Sequence, residues 1–183
     1  MQAPGGVFLI GIGAGIVVGA AMVATTGSIR PFFPPMLAGA AAGAAFLVAA
    51  RVWGGGRFGP PTRSQRVAMM LAIVAEVAVF WGLGALGWFN VWDDRTLMSV
   101  ALGIVAAHFL LMRFSHGPLM LWLGVFALAW IGFADVLRLP LSVFILGDGL
   151  LKVGMGAAMA RPMFTGPGRP EADVLRPDPA NAG

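Results

Sequence analysis

The sequence predicts an all-α, polytopic membrane protein, a bundle of six transmembrane helices. Three observations carry this expectation. Of the 183 residues, 58% are hydrophobic and 11% are charged, whereas about a quarter of a soluble domain is charged. Six apolar segments each approach the roughly 20 helical residues needed to cross a hydrocarbon core. No stretch alternates apolar and polar residues as a membrane barrel requires. Backbone groups in lipid must be satisfied within their own segment, so the spans are helices.

Helix one is expected at 5–26. It opens without a basic stretch, which argues against a cleaved signal peptide. Helix two is expected at 32–53, between Arg30 and Arg51; its entry carries Pro31, Pro34 and Pro35, which cost little in a first turn. Gly54, Gly55, Gly56, Gly59, Pro60 and Pro61 then mark a loop. Helix three is expected at 67–89, followed by a polar turn. Helix four, at 96–112, is short, but Arg95 and Arg113 can snorkel to the two interfaces. Helices five and six are expected at 118–134 and 140–160. The transmembrane domain thus fills 1–160, and the proline-rich segment 161–183 reads as a disordered cytoplasmic tail. Trp53, Trp88 and Trp92 fall near segment ends, where aromatic belts sit.

Arginine placement sets the orientation. Arg51, Arg57, Arg63, Arg66, Arg113, Arg161, Arg169 and Arg176 fall on one side, and Arg30, Arg95 and Arg138 on the other. Both termini are therefore expected in the cytoplasm of a bacterium, with the protein in its inner membrane. The absence of cysteine excludes disulfides, thiolate metal sites and covalent c-type haem attachment. No basic stretch is interleaved with aromatics, so nucleic acid is not an expected partner. The bilayer itself, through anionic headgroups, is. His108 and His116 lie eight apart, and His116 is expected at the membrane surface, which makes a poor haem or metal site. No cofactor is expected.

Gly11, Gly15 and Gly19 are spaced four apart, as are Gly39 and Gly43. Each set lies on one helix face and permits close approach of another helix. Packing within the chain accounts for them; a homodimer seam through helix one is the rival. Gly11, Gly13 and Gly15 do not form a nucleotide loop, since they lie within an apolar span without a preceding strand.

The candidate functional residues are ionisable groups inside apolar spans: Glu76, His108, Asp148 and Lys152. Charges there are costly and need a partner or a purpose. Counted from the nearest cytoplasmic arginine, Glu76 lies about 15 Å deep, Lys152 about 13.5 Å, Asp148 about 20 Å and His108 about 7.5 Å. Glu76 and Lys152 are thus expected at nearly equal depth. Asp148 and Lys152 are four apart and share a helix face. One ammonium between two carboxylates would require a bound proton, a cation or a further partner. Such a cluster serves proton-coupled transport or inert polar packing equally well. Gly147 and Gly149 flank Asp148 and either loosen the helix, as in broken transporter helices, or admit a close neighbour. Asp135 and Arg138 are expected to form an interfacial ion pair of little energetic weight. Ser99, Ser115 and Ser142 lie near helix ends without a clear base, so an enzyme has the least support.

The run Ala106-Ala107-His108-Phe109-Leu110-Leu111-Met112 resembles a G-x-H-F-L-P-type motif in the fourth helix of small uncharacterised bacterial six-helix membrane proteins. It departs from that motif at Leu111, where proline is expected. An acidic residue in the middle of helix three, as at Glu76, is similar too. The resemblance covers about a tenth of the chain and implies Glu76 and His108 as a shared polar signature, without implying an activity. Two functions follow as expectations. A small proton- or cation-coupled transporter would use Glu76 and Asp148 as carboxylates, Lys152 as counter-charge and His108 as shuttle. It needs a polar cavity reaching both acids. A non-catalytic membrane subunit or partner-binding protein would instead hold the same charges in a dry interior.

Overall fold

Each apolar run becomes a helix because its backbone groups are satisfied within it, and turn residues and caps set its ends. The computed structural model describes residues 2–53 and 62–164. It contains α1 (Gln2–Thr26), α2 (Phe33–Trp53), α3 (Arg63–Ala85), α4 (Asp94–His116), α5 (Pro118–Val136) and α6 (Leu141–Phe164). All six are long and apolar enough to cross a membrane. The expected all-α six-helix bundle is what forms. Short 3₁₀ turns at Arg30–Phe32 and Trp88–Asn90 precede α2 and α4. The bulk of the expected tail, 165–183, lies outside the described residues, as does most of the loop between α2 and α3.

Helix ends depart from expectation where polar caps act. α3 starts at Arg63 rather than near Val67, because Thr62 and Gln65 form a reciprocal capping box. It ends at Ala85, and Gly87 follows with φ 72°. α4 is longer than expected because the Asp93 carboxylate accepts from the Thr96 N–H at 2.7 Å. α4 and α5 are joined by Gly117 alone, with φ 89° and ψ −174°, a conformation open essentially only to glycine.

Neighbouring helices run in the order α2, α1, α6, α5, α4, α3, with a lighter contact between α4 and α6. The buried core draws on α1, α4, α5 and α6: Ile16, Leu102, Ala134, Phe144 and Ile145 meet toward one end, and Leu9, Phe109, Leu123 and Met159 toward the other. Phe32 of the turn before α2 joins the first cluster and Met36 of α2 packs against it; neither cluster includes a residue of α3. α2 and α3 form the edges of the bundle. In α3 the single buried residue is Ala72.

Candidate functional site

The four ionisable groups form two pairs rather than one cluster. Asp148 and Lys152 occupy successive turns of α6, and the Lys152 ammonium donates to Asp148 Oδ2 within the helix. Both are 1% exposed. The ammonium also lies 5.7 Å from the centre of the Phe109 ring, a cation–π contact that ties α6 to α4. Asp148 Oδ1 has no hydrogen-bond partner. The pair is neutral as a unit and sealed.

Glu76 takes a different partner. Its Oε2 lies 2.9 Å from Nδ1 of His108, across the α3–α4 contact. The same Nδ1 lies 3.1 Å from the Ala72 carbonyl oxygen. A carbonyl can only accept, so Nδ1 carries the proton and donates to Ala72 O, with the Glu76 carboxylate oxygen beside it. Ala72 and Glu76 are one turn apart, which places both oxygens under one imidazole. Ala72 is fully buried where α3 meets α4. The Glu76 side chain remains 26% exposed and His108 10%. A cavity of about 140 Å³ adjoins them, lined otherwise by Ala72, Ala75, Val79, Ile104, Ala107 and Leu111.

The expected meeting of Glu76 with Lys152 is therefore corrected: each is satisfied on a different face of α4. His108 turns to α3, and the next residue, Phe109, turns to α6. Glu76 and Lys152 meet adjacent residues of α4, His108 and Phe109, whereas counting along the chain put His108 about a turn and a half shallower than Glu76. The flaw lay in direction around the helix, because consecutive residues point about 100° apart. No group of three or more metal-ligating side chains occurs among the described residues.

The model for a family of unknown function, DUF6609, matches residues 1–164. The chain belongs to this family. No curated protein and no solved structure matches it. This DUF6609 chain is a multi-pass membrane protein by the length and composition of its six helices.

The interfacial pair in this DUF6609 protein also differs from expectation. Asp135 pairs with Arg95, Nε to Oδ1 at 3.0 Å, and accepts from Ser99 Oγ at 3.2 Å. Arg95 further donates to the carbonyls of Ala134 at 2.7 Å and Leu139 at 2.6 Å. It thereby caps the C-terminus of α5, where a cation is favoured. Arg138 is instead the left-handed residue of the turn, φ 49°. Its N–H bonds Asp135 O, and Leu139 N–H bonds Ala134 O, the two bonds of a Schellman turn. Sequence reasoning missed Arg95; its place at the start of α4, level with the α5 end, was the available signal.

The glycine stripes pack within the chain. A Cβ on Gly11 would stand 2.7 Å from Gly39 O, and one on Gly39 2.3 Å from Gly11 O; Gly15 faces Pro35 and Gly19 faces Phe32. Gly43 lies against Phe8. The α1 face proposed for a homodimer seam is covered by α2. A second seam, between α1 and α6, brings Gly6 against Gly156 and Gly13 against Gly149. Gly147 sits under the Trp130 indole, whose Nε1 donates to Phe144 O at 2.8 Å. α6 runs unbroken through both glycines beside Asp148, so they serve close packing. His116, expected at the membrane surface, is the last residue of the α4 span and 8% exposed, its ring against Gly5. Its Nδ1 lies 2.7 Å from Ser115 Oγ, a base that the sequence did not assign to that serine. Ser115 is itself 2% exposed, which closes it to a substrate.

Proposed function

We propose that this protein is a non-catalytic membrane subunit or partner-binding protein of the bacterial inner membrane, with both termini in the cytoplasm. The observation that carries the reading is the division of the four interior ionisable groups into two separate pairs, Asp148 with Lys152 and Glu76 with His108. A transporter using Glu76 and Asp148 together would need one polar cavity reaching both. Asp148 is sealed with Lys152, and the cavity beside Glu76 has a largely apolar lining. Orientation rests on the arginine bias: Arg63, Arg66, Arg113 and Arg161 all lie at helix ends on one side of the alternating topology.

A second reading has one observation behind it. Glu76 is half-buried beside a cavity at mid-span, and a carboxylate–imidazole pair there can bind and release a proton. One experiment separates the two. Purified protein is reconstituted into liposomes carrying a pH gradient, and Glu76→Gln is compared with wild type. The subunit reading expects no flux from either protein and a lower unfolding temperature for the variant. Flux in the wild type, abolished in Glu76→Gln with unfolding unchanged, would establish the proton reading instead.

A further inference from the structure

The first two turns of α3 place two arginines at the head of an apolar groove. Arg63, Arg66, Val67, Met70 and Leu71 line a depression of about 520 Å³. Arg63 opens the membrane span, so the guanidinium groups stand at its boundary while Met70 and Leu71 lie toward the hydrocarbon. Residues 63, 67 and 70 are spaced four and three apart, which stacks them along one helix face. That face is opposite Ala72 and Glu76, through which α3 meets α4. Val67 is 50% exposed, Met70 59% and Leu71 63%. Neither arginine has an acidic partner among the described residues. Both also lie by the positive end of the α3 dipole, which adds to the attraction for an anion.

We propose that this groove binds one anionic phospholipid, its phosphate held by Arg63 and Arg66 and an acyl chain laid along Val67, Met70 and Leu71. Charge and shape both select that occupant. Two guanidinium groups match a phosphate ester in geometry and sign. The apolar floor begins within one turn of them, as an acyl chain begins near its headgroup. A free phosphate would leave that floor unused, and a zwitterionic lipid would bring a cation to two cations. The arginines lie on the side assigned to the cytoplasm, where the leaflet is anionic. The inference stands whichever functional reading holds.

Native mass spectrometry of the full chain, released from detergent with equimolar phosphatidylglycerol and phosphatidylcholine, tests it. The wild type is expected to retain one phosphatidylglycerol in preference to phosphatidylcholine. Arg63→Gln should weaken retention about fivefold and Arg63→Gln with Arg66→Gln about thirtyfold. Arg66→Lys should keep most of it. Arg113→Gln is the control, because that guanidinium lies 5.1 Å over the Phe114 ring on the same membrane side; it should change nothing. If the double variant does not fold, the single and lysine variants carry the test. Equal retention of phosphatidylcholine would overturn the proposal. So would an equal loss in Arg113→Gln, and so would displacement of the lipid by millimolar inorganic phosphate, which would assign the site to a free anion.

Discussion

Asp148–Lys152 and Glu76–His108 both pair ionisable groups inside apolar spans, yet they sit in opposite surroundings. The first lies in the four-helix core of α1, α4, α5 and α6, within one helix, and is closed to solvent and lipid alike. The second joins an edge helix to the core and leaves its carboxylate a quarter exposed. The difference teaches where a buried charge can act. A pair inside one helix needs no neighbour to form it and can change little without unfolding its surroundings. A pair between helices reports on whether those helices are together, and α3 has α4 as its one extensive helical neighbour.

Removing one member of the sealed pair should have the largest effect. Lys152→Met leaves the Asp148 carboxylate unpaired in the core and should cost roughly 3–5 kcal/mol by thermal unfolding in micelles. Adding Asp148→Leu should restore most of that loss, since replacing a buried pair by apolar residues is often neutral. A small loss from Lys152→Met would mean that water reaches the core pair, and the comparison would fail.

Glycines sharpen the contrast between core and edge. A Cβ on Gly6 would stand 2.5 Å from the Gly156 carbonyl oxygen, whereas one on Gly82 of α3 meets nothing within 4 Å. Gly6→Ala should therefore cost about 1–3 kcal/mol through separation of α1 and α6. Gly82→Ala should stabilise α3 by up to about 1 kcal/mol. Equal effects in unfolding scans would contradict the assignment of α1 to the core and α3 to the edge.

Glu76→Gln keeps a hydrogen-bond acceptor and should cost about 1 kcal/mol, well below Lys152→Met. Arg138→Gly removes a side chain from a left-handed turn position and should stabilise by roughly 1 kcal/mol, leaving the Arg95–Asp135 pair intact. The smallest effect is a pH dependence at the α4 cap. Hydrogen bonds from the backbone and side chain of Thr96 hold the Asp93 carboxyl below its ordinary value of 3.8. A lowered folded pKa means its stabilisation is full above that value and fades as pH falls through the folded value. Asp93→Asn should remove this acid dependence in pH-resolved unfolding while keeping the cap.

The helices were legible because apolar length and backbone satisfaction in lipid leave few alternatives. Their ends were less so, because single polar caps such as Thr62 with Gln65, or Asp93, moved them by several residues. Counting along the chain gives each residue a rough height in its helix, too coarse to pair His108 with Glu76. Direction could not be counted: which side of α4 each helix occupies is a property of tertiary packing, and His108 and Phe109 divide the two pairs between adjacent faces. The Asp135 partner was misread for the same reason. Arg138 is near in sequence, but its left-handed backbone serves the turn, while Arg95 arrives from the far end of another helix. The glycine spacing showed that α1 packs closely on a neighbour; it did not reveal that α1 carries a second seam to α6.

The two pairs are independent of one another, which a double-mutant cycle can check. The cost of Glu76→Gln would be measured by thermal unfolding in the wild type and in the Asp148→Leu, Lys152→Met background. Independence predicts equal costs within about 0.5 kcal/mol. A difference above about 1 kcal/mol would mean that the carboxylate of α3 and the ammonium of α6 share one site, contrary to this account.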